Sequence, residues 1–358
     1  MSELKISLVM IVKDESSTIK NCILSAKKLV DEIIVVDTGS KDDTKVIASK
    51  CGAKIYDFVW NDNFADARNF ALSKSTGDWN LILDADEVVT KGSRKDLIDF
   101  ANKNHNYIGR ICITSKFIYD GEVSYSSEYI SRLAPRDALY SGSIHEQLDL
   151  GFPRKDTPIE VAHSGYFETD KSKRNLKLLL SALNSKPNDN YLIYQTAKTL
   201  SNAKQYDEAD KYFKKAYKYL KHSLPYEKDL IISYLYNIIH LYNIDYGLKI
   251  IEKYKNKFAD DVDFNFVCGI YYMNLIISKT NIYADRIHLI EKHYLKCLEL
   301  GECKKNSVLG VGSFKASYNL AAYYEVLGDL DKAIKYYSDS AKQNFNPAKK
   351  RLNSLIKN

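Results

Sequence analysis

Several common sequence signatures are missing from this chain, and each absence excludes a class of protein. The six cysteines are scattered without a C-x-x-C pair, which argues against a zinc site and a disulfide framework. Neither G-x-G-x-x-G nor G-x-x-x-x-G-K-[ST] occurs, so the glycine loops that bring backbone N–H groups onto phosphates are absent. No leader-like segment opens the chain, and no apolar run approaches the ~20 residues of a membrane span. We therefore expect a soluble, cytoplasmic protein with reduced thiols.

The composition is that of a globular protein. The chain has 358 residues, of which 45% are hydrophobic and 27% are charged, enough for two domains with sizeable cores. The net charge of +6 is mild, and the lysines are spread along the chain. Such a distribution does not make a nucleic-acid-binding stripe, although it would tolerate an anionic ligand.

Apolar runs alternate with helical patterns in the first part of the chain. Strand-like runs cover residues 4–12, 32–36, 54–59 and 79–83. Strands that alternate with helices indicate a parallel, doubly wound α/β sheet, whose ligands bind at the carboxyl ends of the strands. Residues 105–165 are aromatic-rich and alternate, which predicts further, partly antiparallel strands that complete the sheet and wall a cleft.

Acidic residues follow three of these strands. Asp14 and Glu15 follow the first, Asp37 follows the second, and Asp84 and Asp86 follow the fourth. In extended chain, Asp84 and Asp86 would point to one side, where two charges about 4 Å apart repel by roughly 4 kcal/mol at a dielectric constant of about 20. On these two residues alone, a divalent cation and a solvated helix cap both stay open. Acids at three strand ends, without a glycine loop, favour phosphate binding through a metal.

The chain becomes helical from about residue 171. Residues 197–216 and 320–341 space small and aromatic residues as in a helix–turn–helix repeat, where small side chains let helices approach closely. The segment between them is irregular, which indicates degenerate repeats with insertions. Such arrays often hold a peptide or a partner protein. A solenoid that only stabilises the sheet domain, or forms a homodimer, is the open alternative.

The motifs of the first 180 residues, taken in order, resemble the family 2 glycosyltransferases of the GT-A fold, in the branch with C-terminal tetratricopeptide repeats. The matching segments are Ser7–Glu15, Val36–Thr44, Phe64–Asn69, Asp84–Asp86, Ile144–Glu146 and His163–Tyr166. The branch includes the sublancin-like (glycocin) enzymes, which glycosylate Cys or Ser of bacteriocin peptides, and bacterial transferases of cell-surface glycans. The resemblance implies a GT-A domain over residues 1–185 and a tetratricopeptide-like solenoid over residues 186–358.

The resemblance also implies which residues bind the donor. Val12, Glu15 and Asp37 would hold the uracil and ribose of a UDP-sugar. Arg68 would lie beside the nucleotide or the diphosphate. Asp84 would contact the ribose or the sugar.

Metal and catalytic residues follow from the same resemblance. Asp86 and His163 would ligate Mn²⁺ or Mg²⁺, and the imidazole suits Mn²⁺ better. Glu146 would be the general base, with His145 orienting it or touching the acceptor. The implied reaction is an inverting transfer of a hexose, of the glucose or N-acetylglucosamine type, to a Cys, Ser or Thr side chain of a peptide or protein. A transferase acting on a surface or lipid-linked glycan is one alternative, and a non-catalytic tetratricopeptide scaffold is another.

Overall fold

The chain folds into two compact units, residues 1–171 and 172–358. They are seen in a computed structural model, which describes residues 4–119, 122–148, 151–163, 172–220, 224–303 and 305–357. The first unit is α/β, and the described part of the second is helical apart from the two-residue strand Ser307–Val308. The predicted fold class, an α/β domain followed by an all-α domain, is confirmed.

The sheet unit contains ten strands and four helices among its described residues. The strands are β1 (Ile6–Val12), β2 (Glu32–Asp37), β3 (Lys54–Asp57), β4 (Trp79–Ile82), β5 (Glu87–Lys91), β6 (Ile108–Tyr119), β7 (Glu122–Pro135), β8 (Tyr140–Ser141), β9 (Gln147–Leu148) and β10 (Arg154–His163). The helices are α1 (Ile19–Ala26), α2 (Thr44–Lys50), α3 (Phe64–Ser73) and α4 (Arg94–Lys103).

Eight of these strands form one mixed sheet in the order β3-β2-β1-β4-β7-β6-β10-β5. The pairings β1–β2, β2–β3, β1–β4 and β6–β10 are parallel, whereas β7 runs antiparallel to β4 and β6. Val12 pairs with Asp37, and Asp37 pairs with Asp57, so three strands end at the same edge. The expected antiparallel completion of the sheet by residues 105–165 is confirmed.

Hydrophobic side chains cover both faces of the sheet. Along β1, Leu8 and Met10 pack into one core with Cys22 of α1, while Val9 packs into a second core with Leu72 of α3. Neighbouring residues of a strand point to opposite faces, so a strand covered on both sides is apolar at nearly every position. This covering of both faces is the reason why the strands could be predicted from unbroken apolar runs.

The described helices of the second unit pack as successive hairpins. They are α5 (Ser172–Ser185), α6 (Asn190–Asn202), α7 (Tyr206–Lys218), α8 (Glu227–Ile239), α9 (Tyr246–Tyr254), α10 (Val262–Ser278), α11 (Thr280–Tyr283), α12 (His288–Leu300), α13 (Phe314–Val326), α14 (Leu330–Lys342) and α15 (Asn346–Lys357). The two repeats found in the sequence are the hairpins α6–α7 and α13–α14, whose Ala197, Ala209 and Ala333 are fully buried. Small residues at these positions let the paired helices touch.

The unit boundary lies before α5. Because α5 packs against α6, the chain divides between residues 171 and 172, whereas the sequence-based boundary falls at the end of this helix, between 185 and 186. The end of the GT-A domain at residue 185, as implied by the resemblance, stays a prediction. Within the described ranges, no helix is both long and apolar enough to cross a membrane.

Candidate active site

The two aspartates of the Asp-x-Asp motif lie in the turn between β4 and β5. β4 ends at Ile82, so Asp84 and Asp86 are not in extended chain, and that premise of the sequence analysis is wrong. Their carboxylates bind different partners: Asp84 binds two arginines, and Asp86 binds a histidine. In a tight turn, successive side chains do not point alternately to opposite sides as they do in an extended strand.

Asp84 is a half-buried residue at the centre of an ion cluster whose other members are buried. Arg68 of α3 donates from Nη2 to Asp84 Oδ1 at 2.9 Å, and Arg132 of β7 donates from Nη2 to Asp84 Oδ2 at 2.5 Å. Burial by itself would raise the pKa of Asp84, but Arg132 and Arg68 together hold that pKa well below its usual range. Asp84 is therefore a carboxylate with an arginine on each oxygen.

Glu87 and Arg132 belong to this cluster, although the sequence analysis gave neither a role. Arg132 also donates to Glu87 Oε1 at 2.7 Å, and the backbone N–H of Asp84 donates to Glu87 Oε2 at 2.9 Å. Burial raises the pKa of Glu87 to about 7, and the charge of Asp84 adds to this while Arg132 opposes it. Glu87 directly follows the Asp-x-Asp motif, and Arg132 is a charged residue beside apolar Leu133 in a predicted strand, which is the available signal for both.

Asp86 and His163 make the second contact of the site. Together with Asp84 and Arg68 they are called the rim below. His163 ends β10, and its Nε2 lies 3.1 Å from Asp86 Oδ2, while its Nδ1 lies 3.2 Å from Ser115 Oγ. The hydrogen bond to Asp86 raises the pKa of His163 above its ordinary value. Ser115 faces His163 on the paired strand β6 and so orients the ring.

A carboxylate and an imidazole at this distance suit a divalent ion with two protein ligands. No group of three or more His, Cys, Asp or Glu residues able to hold a metal occurs within the described ranges. Mg²⁺-type sites commonly use one or two carboxylates and complete their shell with water and substrate phosphate. Asp86 and His163 therefore fit the metal that the sequence implied, and residues 164–166 of the matching motif lie outside the described residues.

Arg68 links the Asp84 cluster to the predicted general base. Its Nε donates to Glu146 Oε1 at 2.6 Å, and its guanidinium lies 5.4 Å from the centre of the Tyr140 ring. Burial would lower the pKa of Arg68, but Asp84 and Glu146 raise it well above its usual range. Arg68 Nη1 is buried and has no hydrogen-bond partner in the part of the chain that the structure describes.

His145 has a strained backbone beside the predicted base. Its φ of 48° lies in the left-handed region, which costs a non-glycine residue on the order of 1 kcal/mol. His145 and Glu146 therefore lie outside the strands, although strands were expected within residues 105–165. Strain of this kind persists only where surrounding contacts hold the backbone in place.

Asp37, Val12 and Glu15 lie at the carboxyl ends of β1 and β2. Asp37 is 1% exposed, and its Oδ1 accepts from the N–H groups of Gly39 and Ser40 at 2.9 and 2.8 Å. Its Oδ2 is buried without a partner among the described residues, which suits a ligand N–H or O–H. The carbonyl of Val12 accepts from Thr38 N–H at 2.9 Å, and Glu15 N–H donates to Thr44 Oγ1 at 2.7 Å. The predicted donor-binding residues are therefore held in place by hydrogen bonds.

Most of the sheet unit is similar to known glycosyltransferases. Residues 7–145 match the Glycosyl transferase family 2 model, and residues 303–357 match a domain of unknown function (DUF6340). The chain is 52% identical over 83 residues to a TPR repeat-containing protein of Synechococcus elongatus. This match covers 23% of this chain and 21% of that protein. It is 41% identical over 102 residues to an uncharacterized glycosyltransferase of Rickettsia conorii, covering 28% and 36%.

A longer match is to the SPbeta prophage-derived glycosyltransferase SunS of Bacillus subtilis. The identity is 28% over 223 residues, covering 58% of this chain and 51% of SunS. The chain thus spans between 21% and 51% of the length of these three curated relatives. The residues that form most of the mixed sheet are thus the ones that are similar to family 2 glycosyltransferases.

Proposed function

We propose that this protein is an inverting, metal-dependent glycosyltransferase, which moves a glucose- or N-acetylglucosamine-type hexose from a UDP-sugar to a Cys, Ser or Thr side chain of a bacteriocin-type peptide. The observation that carries the proposal is the rim after β4, where Asp86 meets His163 and Asp84 meets Arg68. The similarity to SunS and to the Rickettsia glycosyltransferase supports the reaction class. The resemblance to glycocin enzymes supports the peptide acceptor.

The donor nucleotide would bind at the ends of β1 and β2. The buried, unpartnered Oδ2 of Asp37, stated for the described residues, can accept the ring N–H of uracil. The hydrogen-bonded segments at Val12 and Glu15 would line the base and ribose. Arg68 would lie beside the diphosphate, because its guanidinium is a permanent cation whose Nη1 has no hydrogen-bond partner among the described residues.

Asp86 and His163 would hold Mn²⁺ or Mg²⁺. When bound, the ion supplies Lewis-acid stabilisation of the negative charge that develops on the leaving UDP. The contribution of the chain is to present one carboxylate and one imidazole from a turn and a strand end, with Ser115 against the second ring nitrogen. Such fixed ligands leave coordination positions for diphosphate oxygens.

Glu146 would take the proton of the acceptor as it attacks the anomeric carbon. Its side chain is 12% exposed, and the hydrogen bond from Arg68 to Oε1 orients it. A cysteine acceptor needs little help, since a thiol has a pKa of about 8.5, whereas a Ser or Thr hydroxyl needs a stronger base. The helical unit would bind the acceptor peptide, in keeping with the similarity to a TPR repeat-containing protein.

A donor screen tests the proposal directly. Purified protein is incubated with Mn²⁺ or Mg²⁺, UDP-glucose or UDP-N-acetylglucosamine, and peptides containing Cys, Ser or Thr, and the products are read by mass spectrometry. Transfer should be lost on chelation and fall roughly 1,000-fold in Asp86→Ala, which removes a metal ligand. Asp156→Ala is the matched control, because Asp156 lies on the same strand as His163 and pairs with Arg110 of β6, away from the proposed metal ligands. Full activity of Asp86→Ala in the presence of chelator would contradict the metal role, and a wild type that transfers no sugar would favour a scaffold.

A further inference from the structure

Helix α3 contacts the segment that carries His145 and Glu146 at several points. The N–H of Phe64 donates to Ser143 O at 2.8 Å, and Arg68 Nε donates to Glu146 Oε1 at 2.6 Å. Residues 64 and 68 are one helical turn apart and so share a face of α3. The 141–146 loop therefore lies along one side of this helix.

Asn69 makes the remaining contacts. Its Nδ2 donates to Tyr140 O at 2.9 Å, and its Oδ1 accepts from Tyr140 N–H at 2.8 Å. One amide thus pairs with both backbone groups of the residue just before the loop. A side-chain amide in this arrangement replaces the hydrogen bonds of a neighbouring strand and fixes the backbone in position and in direction.

The backbone conformation indicates why the loop needs such anchors. His145 has a φ of 48° and Gly142 a φ of 95°, both in the left-handed region. A loop with a non-glycine residue in that region keeps its shape only when its ends are held. Three residues of α3 hold it, and Arg68 among them also binds Asp84 on the donor side.

We propose that Asn69 is a positioning residue, which clamps the 141–146 loop to α3 and thereby holds Glu146 at a set distance from Asp84 through Arg68. This inference rests on the proposed function, since it assumes that Glu146 acts on the acceptor. Asn69 touches no reacting group, so its effect is on geometry. Small displacements of a catalytic group can cost a large factor in rate.

Two variants and a matched control test the clamp. Asn69→Ala removes both hydrogen bonds, and Asn69→Asp keeps the acceptor for Tyr140 N–H but loses the donor. We expect kcat for transfer to a Cys-containing peptide to fall roughly 10- to 100-fold in Asn69→Ala and by less in Asn69→Asp, with the KM for the UDP-sugar and the affinity for UDP within about twofold of wild type. Asn104→Ala is the control, because Asn104 Nδ2 also donates to a backbone carbonyl, that of Phe100, at 2.8 Å. It should keep kcat within about twofold of wild type.

Hydrogen exchange gives a readout that does not depend on activity. The Tyr140 amide should exchange faster in Asn69→Ala and stay protected in Asn69→Asp and Asn104→Ala. Unchanged protection of Tyr140 in Asn69→Ala would overturn the clamp. A normal kcat despite lost protection would overturn its role in positioning Glu146. If the wild type transfers no sugar, the proposed function fails, and the exchange of the Tyr140 amide still decides whether the clamp exists.

Discussion

The sheet unit and the helical unit carry opposite net charges, which the overall value of +6 conceals. Residues 1–171 contain 22 Lys and Arg against 27 Asp and Glu, a net charge of −5, whereas residues 172–358 contain 30 against 19, a net charge of +11. The helical unit also holds 21 of the 28 tyrosines. The acidic excess includes the rim at the strand ends, and the basic excess lies on the repeats.

Two ion pairs, one from each unit, differ strongly in how exposed they are. In the sheet unit, Arg132 and Glu87 are 7% and 3% exposed and meet at 2.7 Å. Within the helical unit, Arg351 pairs with Glu325 while its side chain is 48% exposed. Buried charges are costly to separate, whereas exposed pairs contribute little. The Arg132–Glu87 pair should therefore contribute more to stability than the Arg351–Glu325 pair.

The largest expected effect is that of Arg132→Met. Removing the guanidinium leaves Glu87 with a buried and less compensated carboxylate, so we expect a loss of about 3–5 kcal/mol in the unfolding free energy of the sheet unit. Denaturant unfolding followed by the fluorescence of Trp79, which is buried in this unit, measures it. The double variant Arg132→Met with Glu87→Met should recover part of the loss. No recovery would mean that the loss comes from packing or from the missing partner of Asp84, and not from the charge of Glu87.

A smaller, pH-dependent effect is expected at Glu32. Ser7 Oγ and Thr76 Oγ1 donate to its Oε1 at 2.7 and 2.9 Å, and although burial opposes it, these bonds lower its pKa from 4.5 to about 2. Because the folded-state pKa is depressed, the stabilisation is complete above pH 4.5 and is lost as the pH falls from 4.5 through 2. Glu32→Gln should cost about 2 kcal/mol at pH 7. The difference from wild type should shrink in that acid range, and a constant difference would contradict the assignment.

The next effect concerns equivalent turns of the two repeats. Lys204 between α6 and α7 has a φ of 59°, and Gly328 between α13 and α14 has a φ of 80°. Glycine adopts this conformation freely, so Lys204→Gly should stabilise the helical unit by about 0.5–1 kcal/mol. Gly328→Lys should destabilise it by a similar amount. Chemical denaturation of both variants checks the pair, and a destabilising Lys204→Gly would show that the lysine side chain matters there.

The smallest effect is expected for the exposed pair of the helical unit. Arg351 Nε donates to Glu325 Oε2 at 3.0 Å, on the surface. Arg351→Met should change the unfolding free energy by less than about 1 kcal/mol, and less at high salt. A loss as large as that of Arg132→Met would remove the contrast between the two units.

Much of the fold could be predicted because its signals are local. The run Ile6–Val12 is apolar since both faces of β1 are covered, and it lies within the strand-like run expected at residues 4–12. The repeats were recognisable because Ala209 and Ala333 must be small wherever two helices touch. The unit to which α5 belongs was harder to predict, since an amphipathic pattern does not show which unit the helix packs against.

The candidate site was predictable in its residue types and less so in its contacts. Asp86 and His163 were expected to share a metal, and they lie 3.1 Å apart. The sequence analysis placed Asp84 toward the sugar nucleotide and assigned no partner to it, whereas both of its oxygens bind arginines. Glu87 and Arg132 had no motif of their own. The individual roles of these residues stay predictions until variants are assayed.

By itself, the sequence determined the alternation of strands and helices, the acids at the strand ends and the repeat spacing, because each depends on residues close in the chain. Only the tertiary structure decided which charges meet. Arg132 and Glu87 are 45 residues apart in sequence, Asp86 and His163 are 77 apart, and Arg68 and Glu146 are 78 apart. Burial makes each such pair strong and specific, and burial follows from how the strands and helices pack together.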